Sequence, residues 1–244
     1  MKTFTLPVLG AAIALIPALA LAQEPEEDSS SEPERIVISA ARIAQPASAI
    51  PGTVTVIEQE EIELQQLLND DLASVLENTV PGFGPSLQKL TGRAESLRGR
   101  NPLYLVDGVP QHNALRDGQR DGHFIDLDFI ERIEVINGSN AIQGVGATGG
   151  VISMLTRSPG SSGRWETNLN ARFSAPDDFD SDGFGYKFSA ITGRRVGDFE
   201  VSLGASLFER GLFFDANGDA VGLYPTQGDI MDSTTVSLFL KTAW

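Results

Sequence analysis

The sequence predicts an α+β domain followed by antiparallel transmembrane β-strands that form the start of a β-barrel. Three observations support this fold class. Residues 53–157 mix helical and strand-like hydrophobic patterns, the segments after Pro159 alternate with a period of two, and the charged residues within those segments share one face.

The first 22 residues are predicted to be a cleavable secretory signal peptide. Lys2 gives a positive start, an apolar stretch follows at 6–21, and Ala-Leu-Ala at 20–22 fits the small-residue cleavage pattern. A membrane anchor is the alternative, but the stretch is shorter than the roughly 20 apolar residues that span a bilayer, and Pro7 and Pro17 interrupt it. The protein is therefore expected to be exported.

The charge balance is acidic, and the chain contains no cysteine. Of 18 basic residues, cleavage removes Lys2, so 17 remain against 33 acidic residues and the mature net charge is −16. This balance argues against a nucleic-acid partner. Without disulfides, packing and hydrogen bonds alone must hold the fold.

Residues 23–46 are predicted to be a disordered linker that contains one short apolar segment. The stretch QEPEEDSSSEPE at 23–34 has no apolar side chain, so it cannot bury enough surface to offset its ordering entropy. The apolar segment IVISA follows at 36–40. It either lies outside the main core or forms an ordinary first strand, and the residues alone leave both possibilities open.

The α+β domain is predicted at 47–157. A strand is expected at 54–57 (VTVI), and 58–80 carries apolar residues at helical spacing before PGFG ends the helix. LYLVDGVP at 103–110 predicts a strand that runs into an Asp-Gly turn, and FIERIEVI at 129–136 predicts the next strand, with imperfect alternation. The apolar positions of the helical pattern are Ile62, Leu67, Leu68, Leu72, Val75 and Leu76.

The stretch GVGATG at 144–149 matches the G-x-G-x-x-G pattern of dinucleotide-binding loops. Such a loop needs a strand that leads into the turn and a helix that leaves it, because the pyrophosphate binds the helix N-terminus. Here seven residues separate the preceding apolar run from Gly144, and β-branched Val151 and Ile152 predict a strand after the glycines. Nucleotide binding is therefore not expected.

After Pro159, four segments alternate between apolar and polar residues. Their charged residues all lie on the polar face, at Glu166, Arg172, Lys187, Glu200 and Lys241. A soluble β-sandwich would also alternate. However, the segments approach the 9 to 11 residues that a tilted membrane strand needs, and a charge on a lipid face costs about 2–4 kcal/mol at mid-bilayer. Long loops at 175–183 and 211–232 and a tight turn at 193–198 are also typical of an outer-membrane barrel.

Taken in order, these motifs resemble the N-terminal part of a TonB-dependent outer-membrane receptor. ERIVISA resembles the TonB box, DLASVLENTVPGF and SLRGRNPLYLVDGVPQ resemble parts of the plug domain, and IERIEVINGSNAIQGVGATGGVISMLTR resembles the motif that closes the plug. The resemblance covers almost all of the mature sequence. It implies a plug domain at 47–157 and the first four strands of the barrel at 158–244.

The resemblance also implies a structural role for the glycines, as tight turns between closely packed strands of the plug. The glycines concerned are Gly144, Gly146, Gly149 and Gly150. Two positions depart from the family, because Asn137-Gly138-Ser139 replaces the common Arg-Gly-Pro and Gln143 replaces a common tyrosine. The missing arginine removes one expected contact between plug and barrel. The remaining candidates for plug–barrel contacts are Arg98, Arg100, Glu131, Arg132 and Glu134, unless these form a solvated charged face.

The function that the resemblance implies is gated uptake of a scarce substrate, such as a ferric siderophore, across the outer membrane. No catalysis by the chain and no cofactor are expected. TonB, with its ExbB/ExbD motor, would bind the box as an added strand. The box residues are Ile36, Val37, Ile38, Ser39 and Ala40.

The implied partners are TonB, outer-membrane lipid and a small-molecule chelate. The chelate would bind outside, on plug apices and barrel loops. The candidate ligand residues at the apices are Gln88, Lys89, Arg93, Arg116 and Arg120. Ordinary solvated loop charges explain these side chains equally well. The ligand itself stays open, since siderophore, cobalamin, haem and glycan receptors share these motifs.

Two further hypotheses concern the length and the class of the protein. Four strands cannot close a barrel, since the smallest have about 8, so the chain is expected to be the front of a longer receptor or a truncated one. The alternative function is a soluble periplasmic binding or adaptor module built on the plug fold, with the tail as a soluble sheet.

No metal site or catalytic group is predicted. The stretch 178–183 matches the start of a calcium loop, but Ser189 stands where a bidentate glutamate is required, and the stretch 215–219 lacks the following glycine. Acidic surface loops are the preferred interpretation, with a weak calcium site as the alternative. His112 and His123 have no carboxylate at ligand spacing.

Overall fold

Within the residues that it describes, the structure contains two β-sheets, two α-helices and one short strand pair. The computed structural model describes residues 37–38, 45–46, 50, 52–92, 95–111, 120, 122–139, 146–176, 181–221 and 230–244. The predicted signal peptide lies outside these residues, and only Val37 and Ile38 of the predicted TonB box are described. Strand β1 (Val37–Ile38) pairs antiparallel with β2 (Gln45–Pro46).

The α+β domain is built on a five-stranded sheet, and the strands expected from the sequence are confirmed. The strands are β3 (Val54–Glu58), β4 (Pro102–Val106), β5 (Val109–Pro110), β6 (Ile130–Asn137) and β7 (Gly150–Thr156). Their order is β3-β6-β7-β4-β5. Only β4 and β7 run parallel among these neighbours.

Strand β6 contains an irregularity that accounts for its imperfect alternation. The register with β7 shifts between Ile130 and Arg132, and such a bulge adds one residue to a strand. Ile130, Ile133 and Val135 therefore reach the same core cluster, whereas Ile136 belongs to a second cluster. Apolar side chains thus cover both faces of this sheet.

The predicted Asp-Gly turn joins β4 to β5. Asp107 and Gly108 have φ angles of 45° and 80°, and Val106 pairs with Val109. Positive φ at both central residues is the signature of a type I′ hairpin turn. The Asp107 carboxylate also accepts a hydrogen bond from the backbone N–H of Thr156 at 2.9 Å.

The helical pattern at 58–80 is two helices rather than one, so the prediction of one continuous helix was wrong. Helix α1 is Gln59–Gln66 and α2 is Leu72–Thr79. The Asp71 carboxylate caps α2 by accepting from the N–H of Ser74 at 3.2 Å, and aspartate is a strong N-cap residue. As a result Leu67 and Leu68 leave the apolar face and are 73% and 77% exposed. No described helix is both long enough and apolar enough to cross a membrane.

The glycine-rich stretch leads into a strand, as expected, and not into a helix. Strand β7 begins at Gly150. A Cβ atom on Gly149 would lie 2.4 Å from the carbonyl oxygen of Arg100, and one on Gly150 would lie 2.3 Å from that of Ile136. Gly149 and Gly150 therefore permit close approach of neighbouring backbone. Gly144 lies outside the described residues.

The tail forms a second sheet of four antiparallel strands. The strands are β8 (Glu166–Ser174), β9 (Gly185–Val196), β10 (Phe199–Arg210) and β11 (Ser233–Ala243), in the order β11-β10-β9-β8. Gly197 and Asp198 alone join β9 to β10, and Val196 pairs with Phe199. The turn predicted at 193–198 is shorter in the structure, because the pairing of β9 with β10 continues up to Val196 and Phe199.

The extra length of β9 and β10 also changes the assignment of two charges. Arg194 lies opposite Val201, on the same face as the apolar positions. Its Nε donates to the carbonyl oxygen of Gly163 at 2.9 Å. Glu209 lies opposite Tyr186 on the same face, and its carboxylate accepts from the Thr234 hydroxyl at 2.6 Å. The charges on this sheet are therefore not all on the polar face, but Arg194 and Glu209 stand at its two ends, where a lipid-facing charge costs far less than at mid-bilayer.

Burial on the four-stranded sheet is inverted relative to a soluble protein. Leu169, Leu238 and Leu240 on the apolar face are 73%, 84% and 68% exposed, whereas Lys187 on the polar face is 2% exposed. The polar face packs on the α+β domain, where Phe239 stacks on Phe129 with ring centroids 5.4 Å apart. The apolar face points away from the domain.

Aromatic residues stand at both ends of this exposed apolar face. Trp165, Phe199 and Trp244 lie near the Gly197–Asp198 turn, as the register shows. Phe173, Tyr186 and Phe188 lie near the long connections, and the rings of Phe173 and Phe188 are 5.7 Å apart. Aliphatic side chains occupy the middle. Apolar bands between two aromatic girdles are typical of membrane barrels.

Candidate functional site: the interface between the α+β domain and the four-stranded sheet

Five charged side chains meet where the α+β domain contacts the four-stranded sheet. We call them the ionic cluster, which consists of Asp70, Asp126, Asp128, Arg172 and Lys187. Asp70 comes from the break between α1 and α2, and the other two aspartates come from the 3-10 turn before β6. Arg172 and Lys187 are partners across β8 and β9.

Lys187 lies at the centre of the ionic cluster. Its Nζ is 2.6 Å from Asp126 Oδ1, 2.9 Å from Asp70 Oδ2 and 3.2 Å from Asp128 Oδ2. Arg172 Nη1 lies 2.8 Å from Asp128 Oδ1. Hydrogen bonds between ionised groups are stronger than those between neutral groups. Among the described contacts, the ionic cluster is therefore the main polar interaction between the α+β domain and the sheet.

Serine hydroxyls on the sheet complete the same interface. Ser189 donates to Asp128 Oδ2 at 2.6 Å, and Ser206 donates to Asp126 Oδ2 at 2.6 Å. Both serines are on the polar face of the four-stranded sheet and both are buried. The polar half of the period-two pattern therefore serves to bind the α+β domain.

The protein environment shifts the pKa values of two of the aspartates in opposite directions. Burial raises the pKa of Asp70 above its ordinary value of 3.8; Lys187 opposes this shift, and Asp126 and Asp128 add to it. Burial also acts to raise the pKa of Asp128, but Lys187, the Ser189 hydroxyl and Arg172 outweigh it and hold the pKa below 3.8.

We expect Asp128→Asn to destabilise the protein by about 2–3 kcal/mol at pH 7 and Asp70→Asn by about 1 kcal/mol or less. A lowered folded pKa means that ionised Asp128 contributes stability above the unfolded pKa, and this is lost as the pH falls through the folded pKa. A raised folded pKa means that Asp70 contributes stability at low pH, which is lost as the pH rises through its folded pKa. Denaturant unfolding of both variants at pH 7 gives the order; the reverse order contradicts this account.

The residues predicted to join plug and barrel lie outside the ionic cluster, and Glu131 lines a second cavity together with residues of β8, β9 and β10. Arg98 and Arg100 are exposed. Arg132 Nη2 lies 2.9 Å from Glu134 Oε1 on the same strand, and Glu131 accepts from the N–H of Ser158 at 3.3 Å. Their role against a barrel wall stays a prediction. The structure places the aspartates of the ionic cluster, which sequence reasoning missed, against the sheet.

A cavity of about 320 Å³ opens beside the ionic cluster, at the end of the sheet that carries the long connections. Of the predicted ligand residues, Arg120 lines this cavity. Lys89 forms an isolated backbone bridge with Ile230, which also lines it, and Gln88 adjoins Lys89 with φ 52°. Arg93 and Arg116 lie outside the described residues. Ligand binding by these residues stays a prediction.

The cavity wall also contains His123, which the sequence did not predict to be a metal ligand. Its Nε2 lies 3.8 Å from Asp71 Oδ1. Burial lowers the pKa of His123 although Asp71 acts to raise it. The described residues hold no group of three His, Cys, Asp or Glu side chains placed for a metal ion. In the acidic loop at 215–219, the Asp215 carboxylate accepts from backbone N–H groups of Asn217 and Asp219.

Comparisons with known proteins identify the family. The family model of the TonB-dependent receptor plug domain matches residues 46–151. The chain is 33% identical to the rhizobactin receptor of Rhizobium meliloti (strain 1021) over 207 residues, which are 82% of this chain and 27% of that receptor. It is 32% identical to the ferric aerobactin receptor of Klebsiella pneumoniae over 241 residues, which are 97% of this chain and 31% of that receptor.

Solved structures give the same fold. The ferric enterobactin receptor of Pseudomonas aeruginosa aligns with a TM-score of 0.53 at 22% identity, over 73% of this chain and 27% of that receptor. The α+β domain is thus a plug domain, and the four-stranded sheet is the start of a barrel. The chain belongs to the TonB-dependent receptors, and it spans about a third or less of the length of the two relatives.

Proposed function

We propose that the protein is an outer-membrane receptor that takes up a ferric siderophore with energy from TonB. The observation that carries this proposal is the inverted four-stranded sheet. Its exposed face is apolar between two aromatic ends, and its polar face binds the plug. Lipid on the outside and a plug on the inside account for both faces.

The alternative of a soluble periplasmic module is less well supported by the same sheet. A soluble module would leave Leu169, Leu238 and Leu240 in water together with Phe173 and Trp244. Contiguous exposed apolar patches of this kind are rare on soluble monomers. The names of the relatives, a rhizobactin receptor and a ferric aerobactin receptor, favour a siderophore as the ligand.

An uptake assay tests the proposed function. The full-length receptor that carries this sequence would be expressed in a Gram-negative host without siderophore receptors of its own. We expect uptake of radioactive iron from ferric rhizobactin or ferric aerobactin, and no uptake when the host lacks TonB. A receptor that reaches the outer membrane but takes up neither chelate, with or without TonB, contradicts the proposal.

TonB coupling makes a separate prediction at the box. Ile38 lies in β1, whose extended backbone pairs with β2 along one edge, so the opposite edge can accept a strand of TonB. Ile38→Pro removes a backbone donor and fixes φ. We expect it to reduce uptake at least 10-fold while chelate binding at the cell surface stays unchanged.

Ile38→Ala is the matched control, because it shortens the side chain but keeps the backbone N–H. Its uptake should stay well above that of Ile38→Pro. If Ile38→Pro supports wild-type uptake, the assignment of residues 36–40 as the TonB box is wrong.

A further inference from the structure

The last residue of β10, Arg210, projects its guanidinium group into the wall of the cavity beside the ionic cluster. The guanidinium carbon lies 3.9 Å from the centroid of the Phe208 ring. A flat guanidinium on an aromatic ring is held in one plane. Arg210 is therefore a cation with a fixed orientation rather than a mobile surface charge.

The hydrogen bonds of Arg210 are incomplete. Its Nη1 donates a long bond of 3.4 Å to Thr235 Oγ1. Its Nε is buried and has no hydrogen-bond partner among the residues that the structure describes. A buried donor without a partner costs free energy, so its presence in a native structure needs an explanation.

The nearby carboxylates do not supply the missing partner. Asp70 and Asp126 bind Lys187, and Asp71 accepts from the hydroxyl groups of Ser74 and Ser86. Of the described carboxylates, none lies within 4.0 Å of a guanidinium nitrogen of Arg210. Asp232 lines the same cavity but does not form this ion pair.

We infer that Arg210 binds a carboxylate group of the transported ligand with its guanidinium group, on the side that lines the cavity. A guanidinium edge presents two parallel N–H donors at the spacing of the two carboxylate oxygens, and bidentate pairing of this kind is strong and orientation-specific. The cavity of about 320 Å³ accommodates the group and its immediate attachment. The inference rests on the proposed uptake function, since it names the ligand chemistry of that site.

The location of Arg210 also explains how a ligand can reach the interface between plug and sheet. Lys187 lies 5.1 Å from the centroid of the Phe208 ring, which also carries the Arg210 guanidinium. A carboxylate on Arg210 thus lies next to the central cation of the ionic cluster. Lys187 and Arg210 both line this cavity.

The test uses the full-length receptor in detergent with citrate as the probe. Citrate supplies carboxylate groups without iron chelation by a siderophore, so this arm does not depend on which chelate is transported. We expect millimolar citrate to raise the unfolding temperature of the wild-type receptor. The affinity for citrate, obtained from the dependence of this temperature on citrate concentration, should be at least 10-fold lower for Arg210→Gln than for the wild type. Arg210→Lys keeps the charge but lacks the fork, so its affinity should lie between the two.

Asp232→Asn and Arg195→Gln are the controls. Removal of the Asp232 charge from the cavity should strengthen citrate binding, whereas Arg195 pairs with Glu200 near the other end of the sheet and its replacement should leave citrate binding unchanged. The inference is overturned if citrate does not stabilise the wild-type receptor, or if it stabilises Arg210→Gln equally.

A second arm measures ferric rhizobactin and ferric aerobactin binding to the same variants. A 10- to 100-fold loss of affinity in Arg210→Gln supports the inference. Unchanged affinity for a chelate that does bind contradicts it. Failure of both chelates to bind the wild type, with an intact citrate effect, counts against the proposed siderophore and leaves the carboxylate site supported.

Discussion

Replacement of Lys187 by methionine is expected to destabilise the protein by about 3–5 kcal/mol. Methionine keeps an unbranched apolar side chain of nearly the same length but lacks the ammonium group, and so lacks both its charge and its three N–H donors. Lys187 is 2% exposed and its Nζ lies within 3.2 Å of Asp70, Asp126 and Asp128. Without it, three buried carboxylates are left with Arg172 as the nearest remaining cation of the cluster. Denaturant unfolding of the full receptor in detergent measures the loss.

Lys241→Met is the matched control for this prediction. Lys241 also lies on the polar face of the sheet, but its side chain is 27% exposed and its Nζ is 3.7 Å from Asp107 Oδ2. Partly exposed pairs contribute about 1 kcal/mol or less. A Lys187→Met variant no less stable than Lys241→Met would show that the ionic cluster does not hold the plug.

A double variant separates charge from packing. In Lys187→Met, the additional change Asp70→Asn removes one of the uncompensated carboxylates. If charge repulsion and desolvation cause the loss, the double variant is more stable than Lys187→Met alone. If the methionine simply packs poorly, Asp70→Asn gives no recovery. Coupling of this kind is expected for residues in direct contact.

Replacement of Gly150 by alanine is expected to cost about 3 kcal/mol or more. Gly150 has φ 145°, which an L-residue rarely adopts, and an added Cβ would lie 2.3 Å from the carbonyl oxygen of Ile136 and 2.8 Å from Leu97 Cδ2. Ile136 and Leu97 are both buried, so neither neighbour can move freely. Denaturant unfolding should show this loss as a lower free energy of unfolding for Gly150→Ala.

Gly138→Ala is the control, because it isolates the backbone cost. Gly138 has φ 102°, and nothing lies within 4 Å of the position of an added Cβ. We expect a cost of about 1–2 kcal/mol there. Equal losses at Gly138 and Gly150 would mean that close packing of backbone at Gly150 contributes nothing, contrary to the structural role assigned to this glycine.

The sequence predicted the turns and strands that depend on residues close together in the chain. The Asp107-Gly108 turn follows from two residues that tolerate positive φ, and the strands of both sheets follow from their hydrophobic periodicity. The helix break was missed because apolar spacing continues through Leu67 and Leu68. The signal for the break was Asp71, which caps the second helix and favours a new start over continuation.

The ionic cluster could not be predicted in the same way, because its partners are far apart in sequence. Lys187 and Asp70 are separated by 117 positions. The sequence placed Arg172 and Lys187 on the polar face but did not indicate what faces them. The same holds for Arg210, which became notable only when the structure placed it on Phe208 in a cavity wall.

The central claim is that the apolar face of the four-stranded sheet lies in lipid and the polar face lies against the plug. These 244 residues contain no cysteine, so one cysteine introduced along β11 is a unique attachment site among them. A nitroxide label is attached to it in the full receptor in bilayers. We predict that labels at Val236, Leu238 and Leu240 collide with dissolved oxygen and are protected from a water-soluble nickel chelate. Labels at Ser237 and Phe239 should be protected from oxygen. Equal oxygen accessibility of both sets, or a reversed alternation, would contradict the claim.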